Sequence, residues 1–130
     1  MMWRVLLLVA AVGCIALGAV GGAGATPASP FLGTWWSVDT SDGSLEQLTF
    51  GADGTMFFRD DSAHACNGVA ALALDTGTVT GDTWTGSGTA SLRCPAAGTT
   101  LSGLFFQFTL NPDGTLSGSV GPDLWTRTRP

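Results

Sequence analysis

Within seven residues, Asp60-Asp61-Ser62-Ala63-His64-Ala65-Cys66 gathers two carboxylates, an imidazole and a thiol, the densest set of potential metal ligands or acid–base groups in the chain. Zinc would take Cys66 as a thiolate, in competition with a disulfide. Without Cys66, the residues Asp60, Asp61 and His64 offer at most three ligands from one segment, and no second motif completes a tetrahedron. The expectation is a polar loop without a metal, in which Asp60 or Asp61 accepts hydrogen bonds from backbone amides. His64 is the only histidine, so nucleophile activation would have to run through it. No G-x-S-x-G turn accompanies it, and the expectation is a solvated side chain and no enzyme activity.

Two further acidic arrangements invite chemistry. Asp39-Thr40-Ser41-Asp42-Gly43-Ser44 lacks the alternating spacing and distal glutamate of a calcium loop, and reads as a turn held by its own side chains. Glycoside hydrolysis would need two carboxyls on facing walls. Glu46 is the acid nearest a predicted wall, and it is read as exposed. No cofactor follows from any of these groups.

The aromatic residues say more. Trp35, Trp36, Trp84, Trp125 and seven phenylalanines occur after residue 30, with no tyrosine anywhere. A small domain needs such side chains for its core. Neighbours on a strand face opposite ways, so Trp35-Trp36, Phe57-Phe58 and Phe105-Phe106 each split between two faces. Trp36, Phe58, Trp84 and Phe106 are assigned to the interior, where they fill the core or line a ligand pocket. If Trp35, Phe57 and Phe105 share the other face, they make an apolar patch for a partner.

The elements that must position these residues are strands. Trp84, Gly86, Gly88, Ala90 and Leu92 alternate with polar residues over Thr83 to Arg93, a period of two that marks one long strand with one wet face. The same test gives strands at Thr34 to Val38, up to Leu48 and Phe50, from Met56 and Phe58, over Val69 to Leu74, Leu104 to Leu110, Leu116 to Val120 and Leu124 to Thr128. The near-copies Gly51-Ala52-Asp53-Gly54 and Asn111-Pro112-Asp113-Gly114 read as hairpin loops, as do Ser41 to Ser44 and Thr80-Gly81-Asp82. Seven or eight strands joined by tight turns predict an all-β fold, a small antiparallel up-and-down barrel, with a β-sandwich as the alternative.

Compartment and charge narrow the function. Of the first 25 residues 19 are hydrophobic. Arg4, the apolar run Val5 to Val20 and Ala23-Gly24-Ala25 have the form of a secretory signal peptide cleaved after Ala25. Residues 26–30 are a short linker and 31–130 a single domain, expected to be secreted and without a membrane span. Ala11-Val12-Gly13-Cys14 loosely resembles a lipoprotein box, but apolar residues follow Cys14, so lipid attachment is not expected. Cys66 and Cys94 remain, and in an exported chain they read as one disulfide. The formal charge is −5 with no lysine. That excludes the basic footprint of nucleic-acid binding and disfavours anionic lipid.

Gly33-Thr34-Trp35 at the first strand and Trp125-Thr126-Arg127 in the last resemble the calycin pattern of lipocalins and avidins. The resemblance implies that Trp35 closes one end of a barrel and Arg127 packs across it. Gly121 to Arg127 is similar to the last strand of bacterial avidins, but an avidin-type biotin site uses a tyrosine, which this chain lacks. Together with Asp42-Gly43-Ser44, Asp60-Asp61 before Cys66, and Cys94, these motifs also resemble small secreted bacterial proteins of uncharacterised function, over nearly the whole mature chain. The resulting expectation is a secreted β-barrel binding protein for a small apolar ligand. The alternative is an extracellular protein-interaction or inhibitor module acting through exposed aromatics.

Overall fold

The computed structural model describes residues 29–119 and 124–130. The leader, Cys14, residues 26–28 of the linker, and Val120 lie outside these. No helix among the described residues is long and apolar enough to cross a membrane.

The described chain is all-β, in two antiparallel sheets. Strands β1 (Gly33–Val38), β2 (Leu45–Phe50), β3 (Thr55–Ala63) and β4 (Val69–Thr76) follow one another in the first sheet, which β7 (Ala90–Cys94) and β8 (Thr99–Leu104) complete. The second sheet holds β5 (Thr78–Thr80), β6 (Thr83–Thr85), β9 (Gln107–Leu110), β10 (Leu116–Gly118) and β11 (Leu124–Trp125). β1 and β11 also meet at one antiparallel bridge, where Trp36 and Thr126 exchange backbone hydrogen bonds of 2.7 and 2.9 Å.

Three chain segments leave one sheet and enter the other. β4 runs into β5 across Gly77, β6 into β7 across residues 86–89, and β8 into β9 across Phe105-Phe106. These bends correct two expectations: the single strand over Thr83 to Arg93 is broken, and so is the one over Leu104 to Leu110. They also account for eleven strands where seven or eight were expected. Packing sets the bends. A Cβ on Gly77 would lie 2.5 Å from the Trp84 ring and from the Thr85 carbonyl oxygen, so only glycine lets the strand pass beneath that indole.

The loops follow their sequence chemistry. Gly51 and Asn111 donate to the carbonyls of Thr55 and Thr115 at 2.9 and 2.8 Å. Asp53 and Asp113 each accept from the amide and hydroxyl of the threonine two residues on, and Gly54 and Gly114 both take φ 86°. Asp39 accepts likewise from Ser41, and Asp42 from the Ser44 amide. Hydroxyl donors favour the ionised carboxylate, so Asp39, Asp53 and Asp113 are held below their usual range.

Between the sheets lies an aromatic core. Phe50 of β2 meets Trp84 and Phe108 at 5.3 and 5.6 Å between ring centres. Phe58 of β3 meets Phe106 and Trp125 at 6.1 and 6.2 Å. Phe31, Trp35, Leu48 and Met56 complete it, all essentially inaccessible. The Cys66–Cys94 disulfide ties the 3-10 turn His64–Cys66, between β3 and β4, to the end of β7.

Candidate functional site

Phe58, Trp84 and Phe106 all lie in the buried core, 4%, 1% and 0% exposed. Trp36 does not join them. In β1 the inward residues are Trp35 and Ser37, opposite Leu48 and Glu46 of β2, whereas Trp36 faces Gln47 on the outer surface beneath Arg129. The expectation that Trp36 is the inward member of the pair is therefore corrected: Trp35 takes that face. Phe58 packs on Phe106 and Trp84 packs on Phe50, with ring centres 6.1 and 5.3 Å apart.

Trp35 anchors one end of the molecule. Its indole N–H donates to the Phe31 carbonyl at 2.9 Å, and the Arg127 guanidinium lies 3.8 Å from the ring centre. Arg127 also donates to the carbonyls of Leu32 and Pro30 at 2.6 and 2.9 Å. The cation thus fixes the segment entering β1 to the segment leaving β11.

The acidic segment around Asp60 is dispersed. β3 continues to Ala63, so Asp60 and Asp61 lie on a strand and not in the expected loop. Asp60 points inward and is 5% exposed. Asp61 points outward and pairs with Arg59 at 2.9 Å. His64 is exposed on the following turn, and Cys66 is in the disulfide. Among the described residues no cluster of three acidic, histidine or cysteine side chains could hold a metal. Asp60, Asp61 and His64 are not brought together because successive strand residues diverge.

Glu46 is the residue that sequence reasoning misplaced. It is 2% exposed and directly opposite Asp60 across β2 and β3. Its parity with Leu48 and Phe50, both inward, carried that signal. Burial first, then the Asp60 carboxylate and a hydrogen bond to it, push Glu46 up to about 8, with Asp39 and Asp42 adding to the shift. The carboxyl is thus protonated at neutral pH. Its Oε2 and the Oγ of buried Ser44 have no hydrogen-bond partner.

The outer surface carries a groove of about 630 Å³ between β4 and β7. It arises from mismatched strand lengths. β4–β7 pairing ends at Leu74 opposite Ser91, and β5–β6 pairing begins at Thr78 opposite Thr85, so residues 75–77 face the longer run 86–90. The longer run is tied to β4 by Asp75, which accepts from the Ser87 hydroxyl at 2.6 Å and from the Ser87 and Thr76 amides. Phe57, Leu72 and Leu74 form the apolar lining, with Ser and Thr hydroxyls around them and Arg93 among the lining residues. Leu74 is 64% exposed. Among the described residues no carboxylate lies within ion-pair distance of Arg93. A second, smaller cleft of about 220 Å³ includes Trp36, Arg59, Asp61 and Arg129 and is mainly polar.

No family model, no curated protein and no solved structure matches the chain.

Proposed function

We infer that the chain is a secreted binding protein built on a calycin-like, eight-stranded meander barrel, and that it takes an elongated apolar ligand with an anionic head in the β4–β7 groove. The barrel reading is supported by the pairing order. Counting each bent segment as one strand, every strand pairs with its sequence neighbour, and the Trp36–Thr126 bridge joins first to last. Arg127 over Trp35 is the arrangement that the calycin resemblance implies for a closed end. Export is supported by the disulfide, which persists in oxidising compartments.

The observation that carries the function is the groove itself. Its volume of about 630 Å³ falls in the range of small-molecule sites, roughly 300–1,000 Å³. Exposed Leu74 with half-buried Phe57 and Leu72 suits an alkyl chain, and Arg93 suits a carboxylate or sulfonate. An interaction module is the second reading. Its outward aromatics are Trp36 in place of Trp35, half-buried like Phe57, and Phe105, 47% exposed.

Calorimetric titration with dodecanoate and dodecanol tests the proposal. Wild type is expected to bind both. Arg93→Gln is expected to weaken dodecanoate by about tenfold or more, the effect of one charge-assisted hydrogen bond, and to leave dodecanol unchanged. Leu74→Glu should abolish both. Unaltered dodecanoate binding in either variant, or no binding by wild type, would overturn the assignment.

A further inference from the structure

The Glu46–Asp60 pair is unusual in what surrounds it. Both side chains are at least nine-tenths buried, on adjacent strands and in direct register. Ser37 of β1 is the register partner of Glu46 on the other side, and its hydroxyl donates to the Leu124 carbonyl at 2.6 Å, not to either acid. Ala71 of β4 faces Asp60 and offers nothing polar from its side chain. The charged residues of the β1–β2 loop are Asp39 and Asp42, two more acids.

Among the described residues no cation balances this group. Arg59 and Arg129 line the outer cleft with Asp61, Arg93 lines the outer groove, and Arg127 is fixed at the Trp35 end. His64 is exposed on the turn after β3. One oxygen of Asp60 accepts from the Ser62 amide at 2.9 Å. Glu46 has no comparable donor on Oε2. Two buried carboxyls in register, one with an unpartnered Oε2, repel each other when both are ionised, and a proton held between them removes that repulsion.

We propose that a single proton shared by Glu46 and Asp60 latches the β1–β2 hairpin onto β3, and that its loss lets water in and loosens this end of the molecule. Unpartnered Ser44 Oγ and Glu46 Oε2 are the atoms that entering water would satisfy first. The opposite end, held by Arg127 and Trp35, has no titrating acid in its contacts and stays closed. The direction in pH follows from linkage. Burial raises Glu46 above its unfolded value, so the folded protein binds the proton more tightly than the unfolded chain. The latch is complete below the unfolded value of 4.5, weakens as pH rises, and is lost above about 8.

Glu46 is the only glutamate in the chain, so protein labelled with ¹³C-glutamate gives one side-chain carboxyl signal. Titrated from pH 4 to 10, that signal is expected to move with a midpoint near 8, and the amide signals of Asp39 to Ser44 should move with the same midpoint. Asp60→Asn should bring the Glu46 midpoint down. Wild type is expected to lose melting temperature between pH 5 and 9, and Glu46→Gln should remove that fall. A Glu46 midpoint near 4.5, or a hairpin that does not respond when Glu46 ionises, would overturn the proposal. The wild-type titration decides between these outcomes even if neither variant folds.

Discussion

Phe106→Ala examines the filled interior. The ring is 0% exposed, 6.1 Å from Phe58 and stacked at 15° on Phe108. Its backbone carbonyl, which accepts from the Gly86 amide at 2.8 Å, is unchanged by the substitution. Removing a phenyl group that buries roughly 150 Å², at about 25 cal/mol per Å², gives roughly 4 kcal/mol. That agrees with the cost of about 3–5 kcal/mol for large-to-small aromatic changes in cores. At about 4–8 °C per kcal/mol for a domain of this size, melting falls by roughly 15–30 °C. Circular dichroism during thermal and urea denaturation at pH 6, where Glu46 keeps its proton, reads the loss directly. The cavity left behind is apolar and should take up benzene or xenon, which wild type should not. A loss below about 1 kcal/mol, or wild-type uptake of benzene into the core, would refute the reasoning by showing slack in the interior.

Two further outcomes follow from the covalent and cationic ties. The Cys66–Cys94 separation of 28 residues corresponds to about 3.6 kcal/mol of loop-closure entropy, so a Cys66→Ser/Cys94→Ser double variant should lose about that much in urea. A loss under about 1 kcal/mol would place the constraint elsewhere. Arg127→Gln removes the cover on Trp35 and two bonds to the carbonyls of Pro30 and Leu32. It should cost about 2 kcal/mol and shift the Trp35 indole N–H resonance, with little change at the Trp84 indole.

Local chemistry made much of this fold legible. The two Asp-Gly loops form as read because the aspartate and threonine side chains and the positive-φ glycine act within five residues. The alternation of Leu104, Phe106, Phe108 and Leu110 gives the correct faces even though the strand is bent, because the bend preserves parity. The bends themselves depend on distant partners. Gly77 is required by Trp84, and Gly86 by the Asp75 carboxylate and the Phe106 carbonyl, contacts that no local pattern encodes. The groove is a by-product of that mismatch and was invisible for the same reason.

Trp35-Trp36 was undecidable by polarity, since both residues are equally apolar. The Phe31 carbonyl and Arg127 select Trp35 for the inside. Glu46 is the opposite case: its parity with Leu48 and Phe50 was plain, and its charge argued for the surface. The structure follows parity, because turning Glu46 outward would turn Leu48 and Phe50 with it. Retaining a proton lowers the cost of that placement.

The proposed function places binding on the outer groove, with packed aromatics between the sheets. The most direct measurement is an NMR titration of wild type with dodecanoate, following backbone amides and indole N–H signals together. The indoles of Trp84 and Trp125 are buried with no hydrogen-bond partner, which makes them sensitive reporters of the interior. The account predicts saturable shifts at Phe57, Leu72, Leu74, Ala90 and Arg93, with both indoles stationary. Shifts of the Trp84 and Trp125 indoles with the groove residues unmoved would contradict it.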